Sequence, residues 1–224
     1  MIQPTPDPFD HWTFDDFLPA ELAQQATVHF FGGDGPWIRR EHLYCRAKRT
    51  RTEGLSPQTE AALVAMESPG MVAYLEAVTG ITGLLVDRAR FGGGQHVTSY
   101  GGRLGIHADF THHPSTGWRR ALNLLVYLNE GPGGGLELWD AAMRECRATI
   151  TPRFNRAVLF PTTTTSYHGH PWPLQHAQRL SLAAYYYVPP TPGEPRLRTT
   201  DYRPRPWEYR LRLRRWARQR LRGT

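Results

Sequence analysis

The sequence predicts a mainly β fold, a sandwich or barrel of short strands with helices flanking it. Three observations lead there. Glycine (21) and proline (19) are both abundant among 224 residues, which favours short elements joined by turns. From residue 81 to residue 188 the apolar residues recur mostly with period two, the repeat of a strand. Helical spacing is confined to the first 80 residues and to a stripe near the C-terminus. The length suits one all-β domain. The expected organisation is one domain over 1–224: helical support in 1–80, a β core in 81–190, and a Pro-rich segment with a basic terminal helix in 191–224.

Residues 1–20 read as an entry segment carrying Phe9, Trp12, Phe14 and Phe17. A helix is expected from Leu18 to Thr27, with Pro19 at a tolerated early position, and Gly32-Gly-Asp-Gly-Pro36 ends it. Residues 37–48 alternate loosely and read as one strand. Ser56-Pro57 opens a second helix and Ser68-Pro69-Gly70 separates it from a third, each serine standing ahead of a proline. These helices are expected to pack on one outer face of a sheet. Residues 84–91 read as a strand. The glycine-rich run 91–103 contains neither GxGxxG nor GxxxxGK, so it is no nucleotide loop and reads as a flexible connection. Residues 121–128 form the clearest strand: Asn123, Leu125 and Tyr127 share one face, Leu122, Leu124, Val126 and Leu128 the other. Shorter strands are expected at 136–140, 156–160 and 180–188. In the tail, Tyr209, Leu213, Trp216, Ala217 and Leu221 lie on one stripe of an arginine-covered helix.

Charge excludes some functions and leaves others open. The net charge is +7, yet from Arg196 onwards there are eleven arginines against Asp201 and Glu208, so the rest of the chain is slightly acidic. The basicity belongs to the tail and says little about a central site. A nucleic-acid-binding protein using the tail is the non-enzyme alternative, and nucleic acid is the less favoured partner. The cysteines, Cys45 and Cys146, sit in no metal-ligand spacing and are too few for a disulfide framework. With no basic, apolar leader and no run of roughly 18 apolar residues, the expectation is a cytoplasmic protein without a membrane span.

The chemistry centres on His107-Ala-Asp109. Residues two apart point to one side of a strand, so the imidazole and the carboxylate form two ligands of one metal. His168 and His170 are the candidates for a third. Arg179 and Ser181 share a face of the last strand, where a guanidinium and a hydroxyl can hold a carboxylate. Two imidazoles and one carboxylate on one face of an octahedron leave three positions open, the arrangement of non-haem Fe(II) oxygenases. A 2-oxo acid chelates through two of them, O₂ takes the last, and the far carboxylate requires a cation such as Arg179.

The segments His107-Ala-Asp-Phe110, Arg120-Ala-Leu-Asn-Leu-Leu-Val-Tyr-Leu-Asn129, Gly133-Gly-Gly-Leu-Glu-Leu-Trp-Asp140, Phe154-Asn-Arg-Ala-Val-Leu-Phe160, Ser166-Tyr-His-Gly-His-Pro171 and Arg179-Leu-Ser-Leu-Ala together resemble the Fe(II)/2-oxoglutarate-dependent dioxygenases, in their prolyl-4-hydroxylase-like branch. The resemblance covers roughly residues 91–188. It implies a double-stranded β-helix (jelly-roll) core. It further implies Fe(II), 2-oxoglutarate and O₂ as cofactors, with ascorbate as a candidate reductant. Tyr127 then corresponds to a tyrosine that contacts 2-oxoglutarate, and Asn123 is a second contact on the same face. His168 has the common eleven-residue spacing to Arg179, while the nine residues from His170 also occur in the branch. The intact Asp109 argues against halogenation.

The expected activity is hydroxylation of an unactivated C–H of a small molecule, an amino acid or a biosynthetic intermediate, with release of succinate and CO₂. Peptidyl-prolyl hydroxylation, desaturation or cyclisation on the same cofactors, and a cupin-type metal chemistry without 2-oxoglutarate are the alternatives. Arg103, His112, His113, Arg119, His170 and Trp172 are candidates for facing substrate. The oligomeric state has no signature in the sequence.

Overall fold

The structure, a computed structural model, describes residues 2–131, 133–175, 178–194, 196 and 199–209. In chain order the elements are β1 (Trp12–Phe14), α1 (Ala20–Val28), β2 (Ile38–His42), β3 (Cys45–Arg51), α2 (Pro57–Met66), α3 (Pro69–Thr79), β4 (Leu85–Val86), β5 (Gly94–Ala108), β6 (Arg119–Tyr127), β7 (Leu136–Trp139), β8 (Cys146–Ile150), β9 (Ala157–Pro161), β10 (His168–His170), β11 (Arg179–Val188) and β12 (Asp201–Tyr202). Every pairing is antiparallel, in the order β1-β9-β6-β11-β5-β10-β7-β8, with β3 adding to β5 and β2 to β3. The fold is the double-stranded β-helix.

Strand β5 turns this single path into two layers. Its first half pairs with β11, from Arg179↔Thr98 to Ala183↔Gly94, and its second half pairs with β10, His107 opposite His168. Between the halves, residues 99–102 face the single Ala47 of β3, a bulge that bends the strand from one layer into the other. The sequence reading of 91–103 as a flexible loop is thereby corrected: most of it is strand. The glycines are there for close approach. Gly94 has φ +79°, and a Cβ on it would run into the Arg51 carbonyl.

The helices pack as expected on the outer face of the larger layer. Ala23, Ala26, Ala62, Leu63, Met66 and Leu75 bury against Leu122, Leu124, Val126, Leu182 and Tyr186. Both serines cap: Ser56 Oγ accepts from Thr59 N–H at 3.2 Å and Ser68 Oγ from Met71 N–H at 3.2 Å, each with proline in the first turn. A second cluster, Tyr127, Leu136, Leu138, Val158 and Phe160, fills the space between the layers at one end. Among the described residues no single helix is long and apolar enough to cross a membrane.

Three other expectations change. Residues 37–48 hold two strands, a hairpin of β2 and β3 with its turn at Leu43-Tyr44. Residues 84–91 hold only the two-residue β4, because the Asp87 carboxylate caps a turn by accepting from Ala89 and Phe91 N–H. Strands β1, β8 and β12 add to those foreseen. The basic C-terminal helix lies outside the described residues beyond Tyr209; residues 206–209 are helical. Both cysteines are free thiols.

Candidate metal centre and its cavity

Two adjacent strands build the metal corner. His107 and Asp109 stand at the end of β5, and β10 sets His168 directly across from His107. One ligand atom from each of the three residues lies within 4.8 Å of the other two, and His107 Nε2–Asp109 Oδ1 and His168 Nε2–Asp109 Oδ2 are both 3.5 Å. Each imidazole is held from behind. His107 Nδ1 is 2.9 Å from the Gly105 carbonyl and His168 Nδ1 2.9 Å from the Ser166 carbonyl. A carbonyl only accepts, so Nδ1 carries the proton in both rings and the Nε2 lone pairs converge. Burial, with His107 adding to it, pushes His168 down to about 4, so the ring is neutral and free to ligate at physiological pH. Burial alone would raise the Asp109 carboxyl; Arg120 and the two imidazoles hold it well below the usual carboxylate range.

Arg120 is the part of this corner the sequence reading left out. Its guanidinium sits 3.0 Å from Asp109 Oδ2 and donates through Nε to Asn123 Oδ1 at 2.7 Å, while Asn123 Nδ2 donates to Asp109 Oδ2 at 2.8 Å. The rings of Tyr185 (3.3 Å) and Phe110 (4.8 Å) sandwich the guanidinium. Asn123 therefore orients the carboxylate, holding with Arg120 the same Oδ2 that lies 3.5 Å from His168 Nε2. The signal for Arg120 was a charged residue entering an otherwise apolar strand.

The corner opens into a cavity of about 520 Å³. His107, Asp109, His168, His170, Asn123, Arg179, Ser181 and Tyr185 line it, as do Arg40, His42 and Lys48 from β2 and β3 and Thr199, Thr200 and Tyr202 from the C-terminal strap. Register explains the convergence: Ser181 lies opposite both His96 and Tyr127, and Tyr185 opposite Asn123. Arg179 donates to the Tyr127 hydroxyl at 2.9 Å and its Nε is buried without a hydrogen-bond partner. An orphaned guanidinium N–H beside a phenol and the Ser181 hydroxyl is a cradle for a carboxylate, so the residues fit both groups the family implies: Fe(II) at the corner and the far carboxylate of 2-oxoglutarate at Arg179.

The two candidate histidines separate. The β10 register slips after His168, so His170 pairs with Leu104 and lies deeper in the cavity, its Nε2 at 3.5 Å from Thr98 Oγ1. Gly169 permits this, because a Cβ there would sit 2.7 Å from the Gly105 carbonyl. Burial and the charges of Arg179 and Lys48 push His170 well below the usual imidazole range. The remaining substrate candidates stand outside the cavity lining. Arg103 pairs backbone to backbone with Arg46, Arg119 with Glu194 (3.1 Å), His113 with Asp87 (3.3 Å), and His112 Nδ1 is 2.9 Å from Thr111 Oγ1. Trp172 is 55% exposed, donates to Glu137 and stacks on Trp207. His112 and His113 are buried and Trp172 is exposed, and none of the five lines the cavity.

A family model described as the 2OG-Fe(II) oxygenase superfamily matches residues 95–187, the span holding all three candidate ligands and Arg179. That match takes in the β core, 93 of the 224 residues. With the His-Asp-His corner it marks this oxygenase as an Fe(II)- and 2-oxoglutarate-dependent dioxygenase. Its fold recurs in a prolyl-4-hydroxylase from Pseudomonas putida, with TM-score 0.55 and 18% identity over 80% of this chain and 92% of that one. It recurs in HygX from Streptomyces hygroscopicus, solved with nickel, 2-oxoglutarate and hygromycin B, at TM-score 0.59 and 13% identity over 88% and 94%. A prolyl hydroxylase from Trichoplax adhaerens, bound to a hypoxia-inducible-factor peptide, aligns at TM-score 0.52 and 17% identity over 79% and 83%. No curated protein sequence matches the oxygenase.

Proposed function

We propose that this oxygenase hydroxylates an unactivated C–H of a small molecule, with His107, Asp109 and His168 holding the iron and Arg179, Tyr127 and Ser181 holding 2-oxoglutarate. The observation that carries the assignment is the convergence of two Nε2 lone pairs and one carboxylate at one end of the cavity that also contains the unsatisfied Arg179 Nε. When bound, Fe(II), 2-oxoglutarate and O₂ supply the oxidising power, and succinate and CO₂ leave. The chain supplies position. Gly105 and Ser166 fix the tautomer and aim of the imidazoles. Arg120 and Asn123 keep Asp109 ionised and turned towards the corner. Arg179 gives the cofactor's far end one orientation, and the apolar cluster between the layers keeps water from behind it.

Support for a small substrate comes from the cavity, whose volume of about 520 Å³ lies within the range of small-molecule sites. The strap narrows the mouth: Tyr202 lies over the His107 ring at 5.1 Å and stacks on Tyr44. Anaerobic addition of Fe(II) and then 2-oxoglutarate should raise a visible charge-transfer band, lost in His168→Ala and weakened in Arg179→Met. Absence of the band in the wild type removes the cofactor assignment. A succinate-release screen over free amino acids, carrier-bound intermediates and proline peptides then tests the substrate class, and turnover with proline peptides alone overturns the small-molecule reading.

A further inference from the structure

One wall of the cavity carries charge that no described residue balances with an ion pair. Reading across the larger layer in register, Arg179 on β11 faces Thr98 on β5, Thr98 faces Lys48 on β3, and Lys48 faces Arg40 on β2. Paired residues project to the same side, so this row crosses the cavity face of four strands, from the cofactor end outward. Strands lie ~4.8 Å apart, which puts the Arg40 backbone roughly 14 Å from that of Arg179.

Elsewhere several of the described arginines are matched by carboxylates. On the other face of β2, Arg39 pairs with Glu41; Arg90 is held by Glu60 and Glu67, Arg147 by Asp7 and Glu145, Arg156 by Asp15 and Arg205 by Glu208. Among the described residues neither Arg40 nor Lys48 has a side-chain hydrogen bond or an ion pair, although both line the cavity. Among the described residues the only carboxylate lining it is Asp109, which belongs to the metal corner and to Arg120. Like charges directly opposite one another in a sheet are destabilising; here Arg40 is exposed to solvent and Lys48 is half-buried, and no carboxylate stands between them.

Loading the cofactors does not cancel this charge. Fe(II) and dianionic 2-oxoglutarate offset each other, and Asp109 offsets Arg120. Arg179, Lys48 and Arg40 are left in excess.

We infer that Lys48 and Arg40 form a docking site for an oxyanion of the substrate, so that this oxygenase acts on a small molecule bearing a carboxylate or a phosphate group. The inference rests on the proposed function and names its substrate class. It also accounts for the ammonium of Lys48, which burial pushes down to about 8, with Arg179 adding to the effect; a bound anion would restore it. The geometry sets where oxidation occurs, since the anion anchors one end of the substrate two to three strands from the cofactor and the C–H to be cleaved lies between anchor and iron.

The test uses the full chain loaded with Mn(II) and saturating 2-oxoglutarate, titrated calorimetrically with sodium acetate and with inorganic phosphate as separate probes. At least one probe should bind, and which one binds assigns carboxylate or phosphate. Lys48→Met and Arg40→Ala should each weaken that probe about tenfold or more, as expected for loss of a charge-assisted hydrogen bond, and leave 2-oxoglutarate affinity within about threefold. Both variants should melt at or above the wild-type temperature without anion, because each removes a like-charge contact; a clear fall would show a structural role and overturn the inference. So would failure of both probes to bind, binding unchanged in both variants (an adventitious ion only), or loss of 2-oxoglutarate affinity in Lys48→Met. If the wild type does not bind 2-oxoglutarate at all, the cofactor reading itself fails, and that outcome is seen before any probe is added.

Discussion

The two faces of strands β6 and β11 obey opposite rules. Towards the helices they present Leu122, Leu124, Val126, Leu182 and Tyr186, fully buried and apolar apart from the Tyr186 hydroxyl, which donates to the Met66 carbonyl. Towards the cavity the same strands present Asn123, Tyr127, Arg179, Ser181 and Tyr185, with Arg120 entering through the β6–β11 bulge. One face contributes stability through burial at about 25 cal/mol per Å². The other gathers groups whose burial costs free energy unless each finds a partner. The site is affordable because the helical side is so completely packed, and the two faces should respond to mutation in different currencies.

Asp109→Ala should separate them most sharply. It removes a metal ligand and leaves the buried Arg120 without its counter-charge, so stability should fall by about 3–5 kcal/mol while Mn(II) binding, followed calorimetrically, is lost. Retention of metal affinity would sink the ligand assignment. Leu124→Ala acts from the other side: a loss of about 2–5 kcal/mol in urea unfolding, with metal affinity of the folded protein unchanged. If affinity fell in parallel, the two faces would not be independent.

Acid sharpens the same contrast. Unfolded histidine titrates near ~6.5, whereas His168 titrates at about 4, and His96 and His170 lie well below the usual range, chiefly through burial. Between those values the unfolded chain binds protons that the folded chain excludes, so stability rises with pH across this window and is lost as the pH falls from ~6.5 towards 4. For the metal-free protein each such imidazole adds about 1.4 kcal/mol per pH unit to that loss. Urea midpoints in EDTA that stay flat from pH 6.5 to 4.5 would contradict it. Ser68→Ala, at a helix cap remote from the cavity, should cost only ~1 kcal/mol and leave the acid response unaltered.

Much of this was legible in the sequence because it is written in alternation. The two-residue step from His107 to Asp109, and from Arg179 to Ser181, fixes which side chains share a face regardless of what surrounds the strand. The paired faces of 121–128 and the serine-proline helix starts are equally local. Arg120, Lys48 and Arg40 were not legible, since their meaning comes from register across strands far apart in the chain. Lys48 meets Thr98, and Thr98 meets Arg179, only once β3 and β11 flank β5. The Gly-rich run misled for a related reason: its glycines answer to the carbonyls of Arg51 and Ala183 on neighbouring strands, which the local sequence does not reveal. Arg103, His112, His113, Arg119 and Trp172 lie outside the cavity lining, since nearness in sequence to a ligand says nothing about which side of a turn a residue takes.

Strand β5 carries a further consequence, for the lengths this sequence can tolerate. One continuous strand sets both Thr98 at the cofactor end and His107 and Asp109 at the iron. Adding or deleting one residue within 103–109 would turn the ligands to the opposite side, since each step along a strand reverses direction. At residues 99–102, where four residues already face one, the same change alters only the size of the bulge. Length variation in this strand should therefore be confined to that short stretch, and a library of single-residue insertions scored for metal binding would show one permissive window between two intolerant halves.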